Sequence, residues 1–318
     1  MQLTLAILGL NRPSETGLPA TPALNEILRF GRFYPQPCST SAFYARHLWR
    51  GSLTARALRY FGLPESAPAL LASPVWQQMG INQTHFSAGR DLAVRDDEAA
   101  QWCGGLNDFF REDGWCFYPF RPDLWLLTLP ENPDWPVPPV LDMLGQEDGM
   151  ERMEGRAPAD WLAKQTEIQM WLHGHPLNIG RRIPVNGLWL WPDLAGRAQA
   201  DFAAADSEWA FFPEGLIPVP DDWQAFARAA ADLGRPVSDG LIFLDGLRQT
   251  AGEEADYCRL LADWETRFFA PVWHDLKAGR LKKLTIAADG AQGGYLEANA
   301  KLHRAFWKRR KTFAGLLG

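Results

Sequence analysis

The stretch "LTLAILGL", residues 3 to 10, constrains the fold more than any other part of the chain. It is apolar at odd and even positions alike, carries no charge and ends at the turn formers Asn11, Arg12 and Pro13. A membrane helix needs about 20 apolar residues, and no run of the chain approaches that. A short run that is apolar on both faces reads as a strand covered from both sides, the environment of a parallel sheet between helices.

The rest of the chain supplies partners. "NGLWLW" (186–191), "EWAFFP" (208–213), "GLIFLDG" (240–246) and "LKKLTIAA" (281–288) read as strands. Helical stretches at 158–173, 221–234 and 253–278 alternate with them, and a basic final helix is expected over 298–312. "TPALNEILRFG" has Thr-Pro at its start and Gly31 at its end, the punctuation of a short helix. Strands alternating with helices predict an α/β fold, a three-layer sandwich with a mostly parallel central sheet.

From 73 the rhythm changes. "QTHFS", "DLAVR", an amphipathic helix, "WCFYPF" and "DLWLLTLP" give the order ββαββ, a small α+β subdomain. Five prolines in "PENPDWPVPPV" (130–140) mark a linker. The expected division is therefore a core of 1–72 and 136–318 with 73–135 inserted, and the strands 3–10, 186–191 and 240–245 in one sheet.

A net charge of −6 argues against general nucleic-acid binding. The exception is Lys301 to Lys311, where six basic residues meet no acid; the remainder holds 26 basic and 38 acidic residues, a balance of −12. That helix could dock RNA, DNA or an acidic partner, or be a solvated face with Phe306 and Trp307 packed inward. Cys38, Cys103, Cys116 and Cys258 lie far apart without metal or disulfide spacing, and read as free thiols. The N-terminus lacks a basic start and a small-residue cleavage site, so a cytoplasmic location is expected.

Residues 173–191, "HGHPLNIGRRIPVNGLWLW", concentrate the candidate chemistry. His173 and His175 would chelate one metal ion only off a helix, because residues two apart on a helix point about 200° apart. No acid or thiol cluster stands nearby, and no metal or cofactor is assigned. The alternative is a histidine capping the helix end and another packed at the turn. Arg181 and Arg182, with His175, Asn178 and Asn186, could border a cleft for a small phosphate or carboxylate, since guanidinium groups pair with such oxyanions. The alternative is that the arginines meet acids and the asparagines hold turns. Asp245 ends the strand "IFLDG", a position suited to a catalytic carboxylate or a turn. Ser14, Thr21, Ser39 and Thr40 are possible hydroxyl nucleophiles, with no base paired to them in sequence.

Glu167, Gln169, His173, His175, Pro176, Asn178, Asn186, Trp189 and Trp191 follow a pattern that resembles the RpfE-type bacterial regulatory proteins, often labelled phosphoglycerate mutases. The ending "AFWKRRK" is similar to theirs as well. Thr166, Gly187 and Pro192-Asp193 depart from that pattern. More distantly, "HPLNIGRR" and "TPALNEILRFG" resemble the archaeal-type cofactor-independent phosphoglycerate mutases of the alkaline-phosphatase superfamily. That resemblance implies an alkaline-phosphatase-like sheet. It also implies a metal-binding Asp-Gly directly after the first strand, where this chain has "AILGLNRP". The expected function is a mutase-like protein that has lost metal-dependent phosphotransfer and acts as a regulatory or small-anion-binding protein. The alternatives are an active metal-dependent phosphoglycerate mutase or phosphohydrolase, and a scaffold docking a partner through Lys301 to Lys311.

Overall fold

The computed structural model describes residues 1–13, 17–79, 84–144, 157–211, 215–247, 254–300 and 307–318. The chain forms two compact units, Met1–Arg50 with Gly196–Gly318, and Gly51–Ala195. The boundaries fall inside two three-residue strands, β3 (Arg50–Ser52) and β9 (Ala195–Arg197). They lie at 50/51 and 195/196 rather than at the expected 72/73 and 135/136.

In the first unit, β1 (Gln2–Ile7) sits in a sheet with β2 (Arg32–Pro35), β10 (Phe202–Ala205), β11 (Leu216–Ile217), β12 (Asp239–Leu244), β13 (Lys283–Ala288) and β14 (Gly294–Asn299). The order is β11-β10-β12-β1-β13-β14-β2. The first five run parallel; β14 is antiparallel to β13 and β2 antiparallel to β14. Leu5 stands opposite Ile242 on one side and Ile286 on the other.

Both faces of β1 are covered, as its composition demands. Leu3, Leu5 and Ile7 join one apolar cluster with helices α1 (Pro22–Phe30), α7 (Trp223–Ala231), α8 (Glu254–Trp264) and α9 (Ala270–Lys277). On the other face lies α2 (Thr40–His47), whose Phe43 and Tyr44 rings stand 5.6 and 5.1 Å from that of Phe243.

The second unit is antiparallel. Its long strand β4 (Ala69–Met79) pairs with β5 (Thr84–Ala88), β7 (Leu124–Thr128) and β8 (Gly187–Trp191), and β7 pairs with β6 (Cys116–Arg121). Helices α3 (Leu53–Tyr60), α4 (Asp96–Phe109), α5 (Val140–Met143) and α6 (Ala159–His173) complete it.

Four expectations need correction. The strand 186–191 belongs to this second sheet and not beside β1: all five residues of β8 are buried, a composition that fits the interior of either unit. "DLAVR" contributes to a 3-10 turn over Gly89–Leu92 instead of a strand. The strand expected at 208–213 lies earlier, at Phe202–Ala205, where the alanines of "FAAA" hide it because their strand propensity is low. The final helix is strand through Asn299 and non-helical from 307, while 301–306 lie outside the described residues. Trp307 is exposed rather than packed inward, and the segment is fastened to α1 by Arg29 Nε donating to the Lys308 carbonyl at 2.8 Å. No helix among the described residues is long and apolar enough to cross a membrane.

One buried carboxylate organises the helical layer of the first unit. Helix α1 begins at Pro22, and Thr21 makes no side-chain cap bond. Glu265 supplies the cap from a distant part of the chain, accepting from the amides of Ala23 (2.6 Å) and Leu24 (3.2 Å). It opens the π-helical turn Glu265–Phe269 between α8 and α9. Burial raises its pKa against the opposing effect of the two N–H bonds. Glu265→Ala would orphan two helix-terminal donors, and we expect it to lower the stability of this unit by about 1–3 kcal/mol in urea unfolding.

Candidate functional site

The motif-rich stretch 173–191 lies in the second unit, and its polar groups are mostly occupied by the protein itself. Helix α6 ends at His173, which is exposed. His175 leaves the helix and caps the turn Pro176–Asn178, its Nδ1 accepting from the Leu177 amide at 3.3 Å. Its ring lies against Trp171 and Trp102, and burial lowers its pKa.

Asn178 donates to the carbonyls of Leu172 (2.9 Å) and Val185 (2.8 Å) and accepts from the Val185 amide (2.9 Å). Asn186 accepts from the Gln77 amide at 2.9 Å and donates to the Gln77 carbonyl at 2.7 Å. Each side chain stands in for a backbone partner where the chain passes from helix to strand. Arg181 meets Glu98 at 2.8 Å, donates also to the Leu92 carbonyl and lies over the Trp102 ring. Of the five anion-site candidates, Arg182 alone is exposed and without a partner among the described residues. The scarcity of nearby acids in sequence misled, because Glu98 comes from helix α4.

The pair is buried, with Arg181 at 13% and Glu98 at 6% side-chain exposure. Removing Arg181 leaves Glu98 with only the largely exposed Arg95, 3.5 Å away, and breaking such a buried pair costs about 3 kcal/mol. We expect Arg181→Ala to destabilise by that order in chemical unfolding, and Arg182→Ala to be neutral.

The first unit gathers a second set of polar groups. Parallel strands end at one edge of their sheet, the edge where ligands of open α/β folds bind. Asp245 comes directly after β12, Asp289 directly after β13, and Gly9 stands two residues beyond β1. The bridge between Cys38 and Gly290 brings the start of α2 to the same edge. Gly9, with φ at 75°, donates its amide to Asp289 Oδ1 at 2.7 Å. Thr40 Oγ1 lies 3.4 Å from Asp289 Oδ2, a long hydrogen bond. Tyr44 donates to Asp245 Oδ2 at 3.4 Å and accepts from Ser207 at 3.1 Å, so two hydroxyls lead to one carboxylate.

The hydroxyl candidates thus divide. Thr40 reaches a carboxylate; Ser39 caps α2 through the Ala42 amide; Thr21 is buried at the start of α1; Ser14 lies outside the described residues. Asp289, Tyr44 and Ser207 were missed. Asp289 carried a readable signal: "AADG" after β13 repeats the apolar-strand-then-Asp-Gly pattern of "FLDG" after β12. Tyr44 and Ser207 carried none. Among the described residues no three His, Cys, Asp or Glu side chains are grouped so as to hold a metal ion.

Helix α2 also ends on a titratable group. His47 packs edge-on against Phe43, and its Nε2 is buried without a partner among the described residues. Burial, aided by the neighbouring Arg46 charge, pushes its pKa down to about 3 from an ordinary 6.5. The unfolded chain therefore takes up a proton at this residue before the folded one does. The stability His47 contributes is complete above pH 6.5 and is lost as pH falls toward 3. His47→Gln should flatten the decline of Tm with acidity across that window in a pH series of thermal melts.

No protein-family profile matches the chain, and no curated protein matches it. Several solved chains are similar to it. The PH0037 protein from Pyrococcus horikoshii is 13% identical with a TM-score of 0.49, covering 99% of this chain and 91% of that one. A cofactor-independent phosphoglycerate mutase from Thermoplasma acidophilum is 14% identical with a TM-score of 0.43, covering 100% of this chain and 94% of that one. The RpfE-type resemblance rests on the motif residues alone.

Proposed function

We propose that this is a mutase-like α/β protein without metal-dependent phosphotransfer, whose role is to bind a small polar ligand in a regulatory capacity. The observation that carries the reading is the turn at the end of β1. Leu8 is buried there, and the Gly9 amide closes onto Asp289 where a two-metal site would need a ligating carboxylate.

The remaining donors fit a metal pair poorly. Asp289 Oδ1 is engaged by Gly9, Asp245 Oδ2 by Tyr44, and Asp206 Oδ1 by the Val219 amide at 2.9 Å. No imidazole is grouped with these carboxylates among the described residues. Two metals that activate a nucleophile and neutralise phosphoryl charge need several carboxylates and imidazoles free to ligate. What the edge does offer is a row of carboxylates and hydroxyls suited to a ligand with hydroxyl donors of its own.

One observation favours catalysis instead: the Thr40 hydroxyl lies beside the Asp289 carboxylate, as a nucleophile lies beside its base. Elemental analysis of the purified protein, with turnover assays on phosphoglycerate and p-nitrophenyl phosphate in added zinc or manganese, separates the readings. We expect no stoichiometric metal and no turnover. About two metal equivalents per chain, with turnover abolished by Thr40→Ala, would establish the catalytic reading.

A further inference from the structure

The sheet of the first unit has a second feature, on the face covered by α2 and away from the carboxyl edge. A cavity of about 440 Å³ is walled there by polar residues, Thr4, Arg46, His47, Arg197, Gln199 and Asp239, together with Ala200, Gly240 and Leu241. Its volume falls within the roughly 300–1,000 Å³ of small-molecule sites. Thr4 is a polar residue in a strand whose neighbours Leu3, Leu5, Ala6 and Ile7 are fully buried apolar residues. Its hydroxyl has no hydrogen-bond partner among the described residues.

The charges are unbalanced. Arg46 and Arg197 face a single lining acid, Asp239, and neither arginine pairs with a carboxylate among the described residues. Arg46 donates to Gln36 Oε1 at 3.1 Å, which leaves its charge uncompensated. Arg197 is exposed, and the segment that carries it is tightly placed. The Ala198 amide donates to the Trp49 carbonyl at 2.9 Å, and Arg50 donates to the carbonyls of Ala198 and Ala200. Gly196 makes this seating possible, since a Cβ there would stand 2.2 Å from the Trp49 backbone. Opposite, His47 lines the cavity, while its Nε2 is shut in the protein interior. Two guanidinium groups without a carboxylate partner, facing one lining acid, make the environment of an oxyanion site.

We propose that this cavity binds a small molecule through a phosphate or carboxylate group, held by Arg197 and Arg46, with Thr4 and the His47 ring in its wall. The proposal is independent of the mutase-like reading, because none of these residues belongs to the carboxyl edge. His47 remains uncharged at neutral pH, so the arginines supply the attraction and the His47 ring reports on occupancy.

The test is isothermal titration of the full chain at constant ionic strength, with inorganic phosphate and 3-phosphoglycerate as probes, alongside NMR of the histidine rings. We expect binding at millimolar concentration or tighter, with the His47 ring signals shifting on addition of either probe. Arg197→Ala, an exposed substitution that leaves the fold intact, should weaken binding at least about 10-fold. Arg182→Ala should leave it unchanged. An absence of binding, an unmoved His47, an Arg197→Ala variant that binds like wild type, or loss of binding in Arg182→Ala would each overturn the proposal.

Discussion

Strand β1 can be placed in only one kind of environment. Four of its six residues are essentially inaccessible, and they point to both faces. A strand at the sheet edge or with one face in water would leave part of that surface exposed, at about 25 cal/mol per Å². The structure places it between β12 and β13, both parallel to it in continuous register. Parallel pairing brings the strand ends to a common edge. That is why Asp245 and Asp289, more than forty residues apart, come to the same side of the sheet, and why Gly9 can reach the second of them.

The architecture of the first unit was legible because it depends on these two-faced runs. "GLIFLDG" and "LKKLTIAA" are strands where their composition puts them, and the alternating helices cover the sheet. What stayed hidden has physical causes. "NGLWLW" is as apolar as the central strands, and no local property records that its partner is β4 of the other unit. The unit boundaries are hidden for the same reason, since long-range strand pairing fixes them and not the proline-rich stretch. "GYLEAN" alternates buried and accessible residues, the pattern of a strand, yet only its last two residues fell within an expected element, the helix from 298.

The candidate site was less legible, because polar residues in a turn have two uses. Asn178, Asn186 and Arg181 are the residue types a ligand site needs. They are equally the types that replace missing backbone partners where a helix gives way to a strand. Sequence counts their donors but cannot say where those donors point. Asn178 makes three hydrogen bonds to Leu172 at the end of α6 and Val185 before β8, and Arg181 finds a carboxylate 83 residues earlier. Asp245 was visible as a strand-end acid, whereas its hydroxyl partner Tyr44 looked like one more aromatic of the core, which by burial it is.

Helix α2 links the two ends of the first unit electrostatically. Its first turn stands beside Asp289 and its last turn carries Arg46, so acid meets the positive end of the helix and a cation the negative end. This arrangement stabilises a short helix. It also assigns different weights to the two arginines of the cavity. Part of the Arg46 charge answers the carbonyls of its own last turn, and its Nη1 is turned to Gln36. Arg197 lies outside the helix, on a segment held by backbone bonds to Trp49. It has no such internal obligation. On the proposed binding, Arg197 is therefore the freer of the two anchors, and Arg46 reaches the anion while one of its nitrogens stays on Gln36.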